Sequence, residues 1–192
     1  MSSILAPPKT YSLDDYRQLE ETAEERHEYH DGEIILMTGG TLIHARIISN
    51  LIFLLRLALQ TTPFEVYGGE LRIWIPEHSR GLYPDLSLFE GEPVLTENRQ
   101  DEVLNPYGLM EVLSPSAEAY DRGQKFRFYR SIPSLRDYFL ISQTEPLIEH
   151  FQRTEDDRWI LSAYQGLETR FTFATAQITL AQVYQGVPLQ KA

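Results

Sequence analysis

A single carboxylate interrupts an otherwise apolar run, Leu109-Met110-Glu111-Val112-Leu113. Apolar on both faces, this run reads as a central strand covered on either side. An unpaired carboxylate in such a strand costs several kcal/mol or takes up a proton. Glu111 therefore needs a cation, an Arg or Lys, or a hydrogen-bond donor beside it. The chain must fold so that a covered sheet carries a polar site.

The remaining pattern supplies that sheet and its cover. Ser12 followed by Asp15 opens a short helix to about Thr22. Asp31-Gly32 lies within the run from Glu28 to Met37 and predicts a hairpin turn. Ile43, Ile47, Ile48, Leu51, Ile52, Leu55 and Ala58 recur at helical spacing, and Pro63 closes that segment. Glu65 to Ile75 alternates with a period of two and predicts one strand. Leu86–Phe89 and Tyr107–Leu113 predict two more. Asp121-Arg122-Gly123-Gln124 resembles a capping box for a helix to about Ser131, and Leu135–Ser142 is the next strand. Leu147–Arg153 and Arg158–Tyr164 form a hairpin, Phe171-Thr172-Phe173 a further strand, and Thr179 caps a last helix. The order is helix, three strands, helix, strand, with extra strands at both ends. It predicts an α/β or α+β fold around a mixed sheet. The expected organisation is one domain over residues 1–192: an N-terminal helix and hairpin over 12–38, a core over about 41–142, and C-terminal strands and helix over 147–186.

Asp85 opens one strand after Pro84, and Glu111 lies near the end of the next. If those strands pair antiparallel, the two carboxylates meet at one edge of the sheet. Two such groups repel unless a cation or a shared proton lies between them. Mg²⁺ suits the arrangement, since it takes one or two carboxylates and keeps waters or phosphate oxygens. The Val112 carbonyl is a further donor. The plainer alternative is that Asp85 caps a turn and Glu111 pairs with an Arg. Lys125 sits early in the helix leaving the Glu111 strand, where it could face the acids or simply lie on the surface. Arg122, Lys125, Arg127, Arg130 and Arg136 form the one strong basic cluster. That cluster is either a local phosphate contact, with Arg122, Arg127 and Arg130 the candidates, or a solvated helix face.

Charge and composition set limits. Seventeen Lys plus Arg against 28 Asp plus Glu leave −11, which opposes non-specific binding to nucleic acid. Without cysteine there is no disulfide scaffold and no thiolate metal site. The apolar stretch Ile47–Leu55 is bounded by Arg46 and Arg56, too short for a membrane span. Met1 to Pro8 has no basic region, so no signal peptide is expected and a cytoplasmic location follows. His27-Glu28-Tyr29-His30 places its histidines three apart, unlike the zinc-protease pattern.

Together, several residues resemble a known family. They are Glu28 before the Asp31-Gly32 turn, His44 early in the long helix, and Tyr83-Pro84-Asp85. With them go Glu111-Val112-Leu113-Ser114-Pro115-Ser116, Asp121-Arg122, Lys125 and Tyr129. The family is the "putative restriction endonuclease" family of the PD-(D/E)xK nuclease superfamily, and the similarity covers about residues 11–185. The resemblance implies a restriction-endonuclease-like core and a divalent-metal phosphodiesterase acting on nucleic acid, most naturally DNA. Asp85, Glu111 and the Val112 carbonyl would hold Mg²⁺ or Mn²⁺. Lys125 would assist the attacking water or the transition-state charge, and Glu28 and His44 would complete the site. The general superfamily motif puts its lysine two residues after the acid. Here that position is Leu113, and Lys125 on the next helix matches the family instead. A homodimer would suit a double-strand cutter. A non-catalytic module binding nucleic acid or protein on the same scaffold is the alternative.

Overall fold

The computed structural model describes residues 10–37 and 39–189. The segment Met1 to Pro8, expected to carry no leader, lies outside them. Helix α1 (Leu13–Glu20) starts at a reciprocal cap: the Ser12 hydroxyl accepts the Asp15 N–H, and the Asp15 carboxylate accepts the Ser12 N–H. Strands β1 (His27–His30) and β2 (Glu33–Leu36) form the expected hairpin. Asp31 and Gly32 take φ of 50° and 97°, the left-handed pair a two-residue turn requires.

Helix α2 (Leu42–Leu59) is capped by the Thr41 hydroxyl, which accepts the His44 N–H. By length and composition it could cross a bilayer, with 18 residues at mean hydropathy 1.7. The expectation that no segment reaches spanning length is corrected here. Arg46 and Arg56 bound the most apolar stretch but do not end the helix. Its Ile47, Leu51, Leu55 and Leu59 spine lies in the core, so in this fold it packs on a sheet.

The chain continues through β3 (Phe64–Gly68), β4 (Arg72–Ile75), β5 (Arg80–Leu82), β6 (Leu86–Glu90), β7 (Glu102–Val103) and β8 (Gly108–Val112). Next come α3 (Glu118–Tyr120), a π-helical turn (Asp121–Lys125) and α4 (Phe126–Tyr129). Then follow β9 (Asp137–Ile141), β10 (Leu147–Arg153), β11 (Trp159–Gln165), β12 (Arg170–Phe173), β13 (Ala176–Thr179) and α5 (Leu180–Val183). Six strands form one sheet in the order β11-β10-β9-β8-β6-β3, and five form a second, β2-β1-β5-β4-β7. The expected α-βββ-α-β order is present in the larger sheet as α2, then β3, β6 and β8, then α3 to α4, then β9. Strands β4, β5 and β7 go to the smaller sheet.

Two expectations are corrected. The single strand from Glu65 to Ile75 is two strands in different sheets. The chain breaks at Gly68-Gly69, where the Glu70 N–H bonds the Gly68 carbonyl at 2.7 Å. The alternation also placed Arg72 opposite the apolar side chains, yet Arg72 is 0% exposed. The capping box at Asp121 does not form. The helix begins three residues earlier, and Asp121 sits inside it with helical backbone angles and no capping bond to its side chain.

Alternate residues of β8 serve two cores. Met110 and Val112 pack with α2 and α5, while Leu109 and Leu113 pack with Ile73, Ile75 and Leu82 of the smaller sheet region and with Tyr129. Glu111 projects on the Leu109 face, between the two sheets. Strands β6 and β8 are antiparallel with Leu86 opposite Met110, a register that sets Asp85 beside Glu111.

Candidate active site

The acids do converge. Asp85, Glu111, Glu28, Asp121, Lys125 and His44 line one cleft of about 350 Å³ between the sheets. The Asp85 carboxylate accepts the Val112 N–H at 2.7 Å, which pins it across the strand pair. His44 Nε2 lies 3.1 Å from the same Asp85 oxygen. The α2 N-terminus places that ring, and Gly40 makes room for it: a Cβ there would stand 2.7 Å from His44 Nδ1.

Lys125 is buried with its ammonium 2.9 Å from Glu111 Oε1 and 3.7 Å from both Glu28 and Asp121. It also donates to the Tyr83 carbonyl at 3.4 Å. The π-helical turn explains the geometry. Its wider winding turns Asp121 and Lys125 inward together, four residues apart. Tyr129 donates to Glu111 Oε1 at 3.2 Å. Glu28 accepts the Tyr83 N–H at 3.3 Å and lies 2.9 Å from His30 Nε2. Tyr120 stacks on His30.

The electrostatics follow from crowding. Burial opposes the Lys125 charge, but Glu111, Glu28 and Asp121 outweigh it and hold its pKa well above the ordinary lysine value. Burial, then repulsion from Asp121 and Asp85, pushes Glu111 well above the carboxylate range despite Lys125. Burial raises Asp121 to about 6, with Asp85 and Glu28 adding to it. Burial would raise Glu28 too, but Lys125, His30 and the Tyr83 N–H bring it below its usual value. Burial disfavours charge on His44, yet Asp85 and the Val112 carbonyl raise its pKa. Four acids thus face one ammonium and one imidazole, and the acids outnumber the cations that can pair with them.

These shifts set a pH dependence for the metal-free protein. Asp121 holds its proton more tightly folded, near 6, than at its usual 3.8. Stability therefore rises as pH falls through 6 toward 4. His44 adds to this above its usual 6.5. Glu28 and Asp101, both held low, lose their contributions as pH drops below about 4.5. Urea unfolding in EDTA is expected to show greatest stability near about pH 4 to 5, a first decline through pH 6 from Asp121 and a further decline toward pH 8 from His44. Asp121→Asn should flatten the part of the decline that lies below about pH 7. A protein that grows more stable from pH 6 to 8 would contradict the crowding.

The cluster fits a cation. Asp85, Glu111 and the Val112 carbonyl are hard oxygen donors of the kind Mg²⁺ and Mn²⁺ take. Among the described residues no three His, Asp or Glu side chains cage an ion by themselves.

Sequence reasoning includes Asp121 in the family resemblance but gives it no role in the site, because local spacing assigns it to a cap. It misses the backbone role of Tyr83. Spacing from Lys125, one turn on, was the available signal for Asp121. The three arginines are not brought to the cleft. Arg122 bonds Glu118 at 2.7 Å and pairs with Glu149, while Arg127 and Arg130 lie exposed and outside the lining.

A solved structure described as a putative nuclease belonging to DUF820, from Anabaena variabilis ATCC 29413, has this fold. Its TM-score is 0.74 over 91% of this chain and 97% of that one, at 16% identity. The uncharacterized protein sll1609 of Synechocystis sp. (strain ATCC 27184 / PCC 6803 / Kazusa) is 38% identical over 91% of this chain and 99% of its own length. A second uncharacterized protein of that strain, slr1290, is 38% identical over 83% of each. Fold and family together support a nuclease-like function. The chain belongs to the Uma2 family, described as "Putative restriction endonuclease", whose pattern matches residues 13–181.

Proposed function

We propose that the chain is a divalent-metal-dependent nuclease that hydrolyses phosphodiester bonds in nucleic acid, with DNA the first substrate to try. The observation that carries this reading is the crowding of acids in the cleft: Glu111, Glu28 and Asp121 surround the buried Lys125 ammonium, and Asp85 lies beside His44. Asp85, Glu111 and the Val112 carbonyl are the groups to hold Mg²⁺ or Mn²⁺. A divalent ion supplies Lewis-acid polarisation of a phosphoryl oxygen and acidifies a bound water.

The chain's own groups do the rest. Lys125 keeps its charge in the buried floor of the cleft, where it opposes negative charge growing on the phosphoryl group. The ammonium is fixed by Glu111 and the Tyr83 carbonyl, so little reorganisation is needed. His44, beside Asp85 and titrating above its usual value, can give a proton to a leaving oxygen. Glu28 holds Lys125 from the far side while His30 holds Glu28.

Calorimetric titration of Mn²⁺ into the full chain tests this reading, with cleavage of a labelled DNA strand as a second measurement. The expected result is saturable binding that Asp85→Asn weakens by more than about tenfold, with matching loss of cleavage. Absence of Mn²⁺ binding and of cleavage would favour the alternative, a non-catalytic binding module on this scaffold.

A further inference from the structure

This inference rests on the nuclease reading and names the substrate class of the same cleft. We propose that the cleft accepts a single-stranded stretch of nucleic acid, one scissile phosphodiester with its flanking nucleosides, and excludes an intact duplex.

Three observations lead to it. The first is depth. Glu111, Asp121 and Lys125 are buried at the floor, between the end of the β1–β2 hairpin and the Ser114–Ala117 loop. A duplex holds its phosphates on the outside of a stiff rod, with paired bases behind them. A lone strand can lower one phosphate between two walls. The volume of about 350 Å³ lies at the lower end of sites for small molecules.

The second is charge. Duplex binding commonly neutralises roughly 6–10 phosphates with Lys and Arg. Among the described residues this cleft is lined by Lys125 and no arginine, and that lysine is already committed to three carboxylates. Arg122 is held by Glu118 and Glu149. Neighbouring phosphates of a duplex would meet acids without cations. One phosphate reaching the floor meets the ammonium.

The third is the wall itself. Ile35 and Leu36, on the edge strand β2, are 40% and 47% exposed, and exposed Pro115 also lines the cleft. Apolar walls gain by covering the faces of bases that are unstacked. In a duplex those faces are buried against each other and give the walls nothing to cover.

The test uses the full chain with a labelled strand of about twenty nucleotides, single or annealed to its complement, as DNA and as RNA. Binding is read by anisotropy and cleavage in Mg²⁺. The single strand should be cut at least tenfold faster than the duplex, and the DNA and RNA arms show which sugar is accepted. Its affinity should fall with salt at a log–log slope of about −0.7 to −1.4, the value for one or two phosphates. Leu36→Asp should weaken single-strand binding about tenfold. Equal or faster duplex cutting, or a slope steeper than about −4, overturns the proposal. Bis(p-nitrophenyl) phosphate separates the two readings. If it is hydrolysed while neither strand form is bound, the substrate class is wrong and the chemistry stands. If it too resists, the nuclease reading fails and takes this inference with it.

Discussion

Glu111→Gln is expected to abolish phosphodiester cleavage while leaving the metal-free fold as stable as the parent or more so. The loss of activity follows from removing one of two carboxylates available to the ion, and should exceed about a hundredfold. The stability effect follows from crowding. Removing one partner of a buried ion pair usually costs about 3–5 kcal/mol, because the other charge is left alone. Lys125 would not be left alone, since Glu28 and Asp121 remain 3.7 Å away. The substitution also relieves the repulsion of Glu111 by Asp121 and Asp85. Thermal unfolding in EDTA at pH 8 should therefore give an unchanged or higher midpoint. A marked drop would make Glu111 a structural partner of Lys125 first and a site residue second.

Arg72→Met is expected to destabilise the protein by about 3 kcal/mol, at the lower end of the range for breaking a buried pair. The guanidinium bonds Glu102 at 2.9 Å and Asp101 at 2.7 Å. It also donates to the hydroxyls of Tyr16 and Tyr83 at 3.1 and 3.2 Å. Glu102 is wholly buried and would keep only Arg17, at 2.6 Å. The remaining arginine is why the low end applies. For a chain of this length the change lowers the unfolding midpoint by about 6–12 °C. The damage should also reach the cleft. Tyr83 holds the Arg72 network with its hydroxyl, and holds Glu28 and Lys125 with its backbone. A midpoint within 2 °C of the parent, about 1 kcal/mol, would show the network to be marginal.

Much of this was legible in the sequence, for a physical reason in each case. A carboxylate inside an apolar strand demands a partner, which flagged Glu111. An acid before a strand that pairs antiparallel with it must fall alongside, which placed Asp85. Thr179 and Gln182 form the capping box that starts α5, as Thr179 suggested. The rest depended on long-range packing. Alternation in Glu65 to Ile75 marks strand but does not say which of two sheets receives each half. Arg72 follows the period of a half-exposed strand, yet a second layer covers it, and only tertiary contacts supply Glu102 and Asp101. Asp121 matched a cap because local spacing cannot reveal that the helix starts earlier. The basic cluster reads from local spacing as either a phosphate contact or a solvated helix face, and only the tertiary fold shows that Glu149 arrives from β10, 27 residues after Arg122, to pair with one of its members.

Delivering the lysine from a helix has a consequence for which substitutions the site tolerates. The strand site two places beyond the acid is free to be Leu113, which helps close the packing between the sheets. The ammonium still ends 2.9 Å from the acid, reached along a different path of backbone. Their separation is set by how the helix docks on the strand, so substitutions that shift the helix, and not only those of the two residues themselves, would pull acid and lysine apart.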